Sequence, residues 1–215
     1  LSKSIIKKGE VVFDVGANVG LHTVLFSTLV GEEGKVIAFE PNPDNLKDLR
    51  LNLAINGCNN VVIVEKALAD ENKKYDFYQL TKSSFNRGDH SLAYTDEIKK
   101  LEKEGGIFKS DVNGITLDTY CDKAEIRPTF LKMDIEGFEY FALKGGRKLL
   151  NEATKLTLII EFKSQRIKSI GLSEQDFAVV LKRFDCYEIL RPDIYNEYSS
   201  LRKFNFDRVI DCDLF

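Results

Sequence analysis

The chain has 215 residues, of which 43% are hydrophobic, and these values predict one domain over residues 1–215 with a full core. The formal charge of -3 argues against a nucleic-acid binder that relies on a broad basic surface. No apolar stretch approaches the length of a membrane span and no signal peptide is visible, so we expect a cytoplasmic protein with no membrane partner.

Apolar, β-branched runs alternate with segments of helical spacing along most of the chain. The first five runs lie at Val11–Phe13, Val36–Phe39, Val61–Val64, Phe130–Met133 and Leu156–Ile160. This alternation predicts an α/β fold, with a mostly parallel sheet covered by helices on both faces. Two later runs, Cys186–Leu190 and Arg208–Cys212, have no helix between them, so we expect an antiparallel pair at one edge of the sheet.

Helix-capping patterns mark where two of the predicted helices begin. Asn42 is a typical capping residue, and Pro43 then stands at the first helical position. Further along, the sequence "SEQD" at Ser173 to Asp176 has the pattern of a capping box. Both patterns come shortly after predicted strands, as expected for strand–helix units.

An insertion at about 73–118 interrupts the regular alternation. It contains two predicted strands, Tyr75–Leu80 and Gly114–Leu117, and between them the polar loop "TKSSFNRGDHS" and the charged helical piece "TDEIKKLEKEGG". One interpretation is a solvated surface insertion, which suits the charged helix. The other is a lid over a binding site, because long loops in compact domains are often functional.

Acidic residues follow all five of the first apolar runs. They are Asp14, Glu40, Glu65, Asp134 and Glu161. In a parallel sheet the carboxyl ends of the strands lie along one edge, and ligands bind in the crevice outside that edge. A cluster of like charges needs compensation, so the predicted ligand offers hydroxyls and positive charge. The alternative is that each acid only caps the next helix. This role is plausible for one or two of the acids and a weaker explanation for all five.

The loop after the first run, "DVGANVGLHT", narrows the class of ligand. It has Gly16 and Gly20, but Asn18 takes the place of the second glycine in the GxGxxG pattern of dinucleotide-binding folds. Glu40 lies where an acid can hold both hydroxyls of a ribose. A nucleoside is therefore predicted without a pyrophosphate, and S-adenosyl-L-methionine fits because it carries a ribose, an ammonium and a sulfonium.

Several motifs together resemble the FkbM-type S-adenosylmethionine-dependent methyltransferases. The motifs are "VFDVGANVGLHT", "AFEPNPDNLKDLRLNLAING", "KALAD", "ITLDTYCD", "FLKMDIEGFEYFALKGG" and "LIIEF". The resemblance implies a class I methyltransferase fold, Rossmann-like and seven-stranded, with methyl transfer to a hydroxyl oxygen of a sugar or small-molecule natural product. It also implies a set of cofactor-binding residues: Asp14, Gly16, Asn18, Gly20, Glu40, Pro41, Lys66, Ala67 and Asp134.

Four residues are candidates for catalysis. Asp134 ends the central strand and is the first candidate for the base, although it can instead hold the cofactor ammonium or cap a helix. Glu136 and Glu161 are candidates to bind acceptor hydroxyls or, with Asp134, a magnesium ion. His90 is a second possible base, near the presumed lid. Lys132 alternates with buried neighbours and is expected to pair with an acid.

We predict no metal. No DxxxD-like ligand spacing is present, and the four cysteines form no CxxC pair and have no nearby histidine, so they are interpreted as reduced thiols. Two other functions remain as alternatives. An RNA-modifying methyltransferase is disfavoured by the acidic balance and the lack of an NPPY-like motif. A nucleotide-binding oxidoreductase or a non-catalytic nucleoside-binding protein is disfavoured by the spacing of the glycine loop.

Overall fold

A computed structural model describes residues 2–80, 90–190 and 200–203 of the chain. Its centre is a sheet of five parallel strands. In spatial order the strands are β3 (Val61–Val64), β2 (Lys35–Phe39), β1 (Val11–Val15), β7 (Phe130–Met133) and β8 (Thr157–Ile160). Each corresponds to a predicted apolar run, and the parallel α/β architecture is confirmed.

Helices precede, connect and follow these strands, in line with the predicted alternation. They are α1 (Ser2–Ile5), α2 (Leu21–Val30), α3 (Pro43–Ile55), α4 (Asp96–Lys103), α5 (Leu117–Ala124), α6 (Glu139–Lys144), α7 (Arg147–Glu152), α8 (Ser164–Ser169) and α9 (Glu174–Val180). The predicted caps are confirmed: the Asn42 side chain accepts a hydrogen bond from the N–H of Asp44 at 2.9 Å, and the N–H of Ser173 donates to Asp176 at 2.8 Å.

Apolar clusters cover both faces of the central sheet. Phe13 and Leu131 belong to the larger cluster, which continues into α5, α6, α7 and α9. Val12 and Phe130 belong to a second cluster that includes Phe26 from α2. Neighbouring residues of β1 and β7 thus pack in opposite directions, which explains why both strands are apolar throughout.

The insertion forms a second, smaller sheet. It consists of β4 (Ala67–Leu68), β6 (Ile107–Ile115) and β5 (Lys74–Leu80), and β5 and β6 are antiparallel. Strand β6, the second of the two strands predicted in the insertion, begins at Ile107 and not at the predicted Gly114. It also ends before Leu117, because the Thr116 hydroxyl accepts a hydrogen bond from the N–H of Thr119 at 3.1 Å and so caps α5.

The C-terminal strands differ from the prediction. β9 (Tyr187–Leu190) pairs antiparallel with β10 (Ser200–Lys203), and the predicted partner Arg208–Cys212 lies outside the described residues. Since β9 and β10 form a sheet of their own, the central sheet has five described strands and not seven. None of the helices in the described ranges is long and apolar enough to cross a membrane.

Candidate functional site

A cavity of about 320 Å³ opens at the carboxyl ends of β1, β2 and β7. The glycine loop after β1 forms one side, and the turn after β2 and the residues around Lys66 form another. The insertion closes it further through Phe77 of β5 and through His90 and Leu92. The volume lies at the lower end of the range for small-molecule sites, about 300–1,000 Å³.

Gly16 lets the glycine loop approach the end of β7. Its φ is 77°, and a Cβ at this position would lie 2.0 Å from the carbonyl oxygen of Asp134. Gly20 has another role, since it begins α2 with a φ of 90° and a Cβ there would lie 2.5 Å from Leu49 of α3. Gly16 lines the cavity, whereas Gly20 permits helix packing behind it.

Glu40 joins the glycine loop to the start of α3. Only 4% of the residue is exposed; Oε2 accepts a hydrogen bond from the N–H of Asn18 at 2.8 Å, and Oε1 accepts one from the N–H of Asn42 at 2.9 Å. Burial raises the pKa of Glu40, and the two backbone hydrogen bonds oppose that rise. The carboxylate also lines the cavity, where its remaining lone pairs can accept ligand hydroxyls.

Lys132 compensates two acids, Asp14 behind the cavity and Asp134 on its wall. Its Nζ lies 3.6 Å from Asp14 Oδ1 and 3.6 Å from Asp134 Oδ2, and it donates a hydrogen bond to the carbonyl of Gly16 at 3.2 Å. Asp14 itself is fully buried and accepts a hydrogen bond from Thr23 at 2.6 Å. Asp14 therefore lies inside β1 and stabilises the loop from below, without lining the cavity.

Three carboxylates meet where β7 and β8 end. One oxygen from each of Asp134, Glu136 and Glu161 lies within 4.8 Å of the others. Positive charge is already present there, because Lys163 Nζ lies 2.7 Å from Glu161 and Arg166 pairs with both Glu136 and Glu161. Asp134 and Glu136 line the cavity, whereas Glu161 lies behind them. The absence of a metal stays a prediction.

A buried acid that sequence reasoning did not single out supports this end of the site. Glu139 is the first residue of α6 and is 3% exposed. Its Oε1 accepts a hydrogen bond from the N–H of Ile135 at 2.8 Å, and its Oε2 accepts one from the N–H of Gly137 at 3.0 Å. Burial raises its pKa to about 7. The only sequence signal was a third acid in the "DIEGFE" stretch.

The structure brings most of the predicted site residues together around the cavity. Those that line it are Gly16, Asn18, Glu40, Pro41, Lys66, Ala67, His90, Asp134 and Glu136. Asp14, Gly20 and Glu161 support the lining residues from behind. Glu65, the remaining strand-end acid, is exposed and pairs with Arg50 at 2.5 Å, so it takes no part in the cavity. Most of the predicted lid loop, residues 81–89, lies outside the described residues.

Known proteins with similar sequences are methyltransferases. Residues 14–199 match the family described as "Methyltransferase FkbM domain". The chain is 28% identical over 140 residues to the hexuronic acid methyltransferase AglP of Haloferax volcanii, covering 65% of this chain and 51% of AglP. It is 34% identical over 110 residues to a protein-L-isoaspartate O-methyltransferase of Methanococcus maripaludis, covering 50% and 49%. The chain thus spans about half the length of these curated relatives.

A solved structure shares the fold. It is the FkbM methyltransferase of Methylobacillus flagellatus, with a TM-score of 0.54 and 20% identity over 89% of this chain and 42% of that protein. At this level of identity the likeness concerns the fold alone.

Proposed function

Because the chain belongs to the FkbM methyltransferase family, we propose that it transfers a methyl group from S-adenosyl-L-methionine to a hydroxyl oxygen of a sugar or related small molecule. The observation that carries the proposal is the joint placement of Glu40 and Asp134 on one cavity. Glu40, which follows β2, offers carboxylate oxygens to a ribose diol. Asp134 follows β7, and the glycine loop after β1 lies between them. AglP, which is named a hexuronic acid methyltransferase, favours a sugar acceptor.

The chemistry of the cavity wall fits this cofactor. Ala67, Leu68 and Phe39 line the cavity and offer apolar surface to an adenine base. The negative charge of Asp134 on this wall favours a cationic ligand, which suits the ammonium and the sulfonium of the cofactor. We assign cofactor binding to Gly16, Asn18, Glu40, Pro41, Lys66 and Ala67, with Asp14 and Gly20 supporting the loop.

When bound, the cofactor supplies a methyl carbon that is activated by its sulfonium leaving group. The protein must align the acceptor oxygen with that carbon, exclude water and accept the proton that the hydroxyl releases. Asp134 is the proposed base, because it lines the cavity and a third of its side chain is exposed. Glu136 and His90 are proposed to contact the acceptor, and Glu161 to hold Arg166 and Lys163 in place.

The insertion is proposed to act as a lid. Its described part already places Phe77, His90 and Leu92 on the cavity wall. The Ser91 hydroxyl donates to the carbonyl of Glu136 at 2.8 Å, and Arg166 lies 3.4 Å from Glu97 of α4. These contacts tie the insertion to the acidic end of the cavity, where the acceptor would enter.

The direct test supplies methyl-labelled S-adenosyl-L-methionine with a panel of neutral sugars, uronic acids and their glycosides. Labelled product that survives mild alkali is a methyl ether and supports transfer to a hydroxyl. Label that is released by alkali indicates a methyl ester and would move the reaction to a carboxylate oxygen. Calorimetry with S-adenosylhomocysteine checks the cofactor independently of the acceptor, and the absence of binding would overturn the proposal.

A further inference from the structure

The peptide group between Glu136 and Gly137 is held at both of its polar atoms. Its N–H donates to Oε2 of Glu139 at 3.0 Å, and its carbonyl accepts a hydrogen bond from the Ser91 hydroxyl at 2.8 Å. Ser91 is fastened in turn to β5, through two backbone hydrogen bonds with Tyr78 of 2.9 and 3.1 Å. A peptide that is held on both sides cannot flip without breaking hydrogen bonds in two different elements.

This restraint coincides with an unfavourable backbone conformation. Glu136 has a φ of 57°, in the left-handed region that side chains with a Cβ rarely adopt, and Gly137 follows with a φ of 99°. Such conformations are unfavourable and persist where the surroundings determine them. Here they turn Glu136 toward the cavity, which it lines, and toward Arg166.

We infer that the ionised carboxylate of Glu139 locks the 136–137 peptide so that Glu136 faces the acceptor end of the cavity, and that protonation of Glu139 releases this lock. Glu139 does not line the cavity and is therefore a positioning residue. The inference rests on the proposed function only in naming that end of the cavity the acceptor end; the lock itself is a property of the free protein.

The chemistry of the carboxyl group explains why a proton would release the lock. An ionised carboxylate accepts hydrogen bonds at both oxygens, whereas a protonated one carries a hydroxyl that donates. The protonated oxygen is a weaker acceptor for the N–H of Ile135 or of Gly137, and its hydroxyl needs an acceptor of its own in a buried place. Weakening of a hydrogen bond at a buried N–H is unfavourable to an extent comparable to the conformational cost at Glu136.

The surroundings of Glu139 bring this change close to neutral pH. Burial is the largest cause that raises its pKa, to about 7; the N–H of Ile135 opposes it, and the charges of Glu161 and Asp134 raise it further. The cations at this end of the site are paired with other acids: Lys163 lies 2.7 Å from Glu161, and Arg166 pairs with Glu161 and Glu136.

The test is a pH titration of the full chain, labelled with ¹⁵N and followed by NMR from pH 5.5 to 8.5 without ligand. The amide protons of Ile135 and Gly137 should shift together with one midpoint near pH 7. In Glu139→Gln this joint transition should be absent. If the two wild-type amides do not titrate, or if they still titrate with the same midpoint in Glu139→Gln, the inference is overturned.

A matched control exists at the start of α7. Asp118 also accepts two backbone hydrogen bonds at a helix start, from the N–H groups of Lys148 and Leu149 at 2.9 Å each, and it does not line the cavity. Asp118→Asn should leave the titration of the Ile135 and Gly137 amide protons unchanged. If the joint transition disappears in this variant, it does not arise from Glu139 alone, and the inference is contradicted.

A second measurement separates positioning from general damage to the fold. The affinity for S-adenosylhomocysteine, measured by calorimetry at pH 6 and pH 8, should change less than threefold in Glu139→Gln, because Glu40 is held by the N–H groups of Asn18 and Asn42 and not by the 136–137 peptide. A tenfold or larger loss would show that Glu139 supports the whole site and would overturn its assignment to the acceptor end. The wild-type titration remains a test even if the variant does not fold.

Discussion

Lys132 and Asp14 are partners in register on adjacent parallel strands, and the Nζ of the lysine lies 3.6 Å from Oδ1 of the buried aspartate. No hydrogen-bond partner of Asp14 Oδ1 is found among the described residues, so this ion pair is the compensation for its charge. The same ammonium reaches Asp134 at 3.6 Å. One cation thus connects the structural acid below the glycine loop with the proposed base.

Lys132→Met removes the charge and keeps most of the side-chain volume. Because a buried carboxylate would be left without its cation, we expect the free energy of unfolding to fall by about 3–5 kcal/mol. Urea unfolding measures it. Adding Asp14→Asn to this variant should restore much of the loss, since the uncompensated charge is then gone. If the double variant is less stable than Lys132→Met alone, the pair does not have this role.

Glu40→Gln tests the cofactor end. The amide keeps the size of the side chain but has only one oxygen for the N–H groups of Asn18 and Asn42, and it removes the charge offered to the ribose hydroxyls. Affinity for S-adenosyl-L-methionine should fall by about 1–3 kcal/mol, the range for hydrogen bonds to charged groups. Calorimetry on a variant with a wild-type circular dichroism spectrum makes the measurement. Unchanged affinity would remove Glu40 from the cofactor site.

Asp134→Asn tests the proposed base. Turnover should fall by about a hundredfold or more, the usual scale for the loss of a general base, while cofactor affinity changes much less. Glu65→Gln is the matched control, because Glu65 also follows a strand of the same sheet but pairs with Arg50 on the surface. A parallel collapse of cofactor binding in Asp134→Asn would instead make Asp134 a cofactor ligand.

The stability of the protein should depend on pH through Glu139. Its pKa rises from the ordinary 4.5 to about 7 in the folded protein, so the folded state holds a proton that the unfolded state has released. The resulting stabilisation is complete below pH 4.5 and is lost as the pH rises through about 7. Between pH 5 and pH 8 the wild type should therefore lose about 2 kcal/mol relative to Glu139→Gln, at 1.36 kcal/mol for each pKa unit.

Urea unfolding of both proteins at the two pH values gives this difference directly. Asp118→Asn should follow the wild type with pH, because it leaves Glu139 in place. A constant difference between the wild type and Glu139→Gln would show that Glu139 does not titrate in this range. The ionised form that the proposed lock requires is thus also the form that weakens the fold.

Local signals in the sequence determined the elements of the fold. The five apolar runs became the five strands of the central sheet, and Asn42 and Ser173 begin helices where their capping patterns predicted. The glycine loop and Glu40 were also recognisable, because their spacing and their position after apolar runs are properties of neighbouring residues. These predictions needed only periodicity and the chemistry of single side chains.

Tertiary structure decided which of the acids share a site. All five strand-end acids are equivalent in the sequence, but strand register buries Asp14 beside Lys132, and position on the outermost strand β3 leaves Glu65 to Arg50. Glu139 is close in sequence to Asp134 and Glu136, yet its two hydrogen bonds to Ile135 and Gly137 depend on how the chain turns after β7. Contacts such as that of Ser91 with Glu136 join residues that are 45 positions apart, and only the packing of the insertion against the sheet brings them within a hydrogen bond.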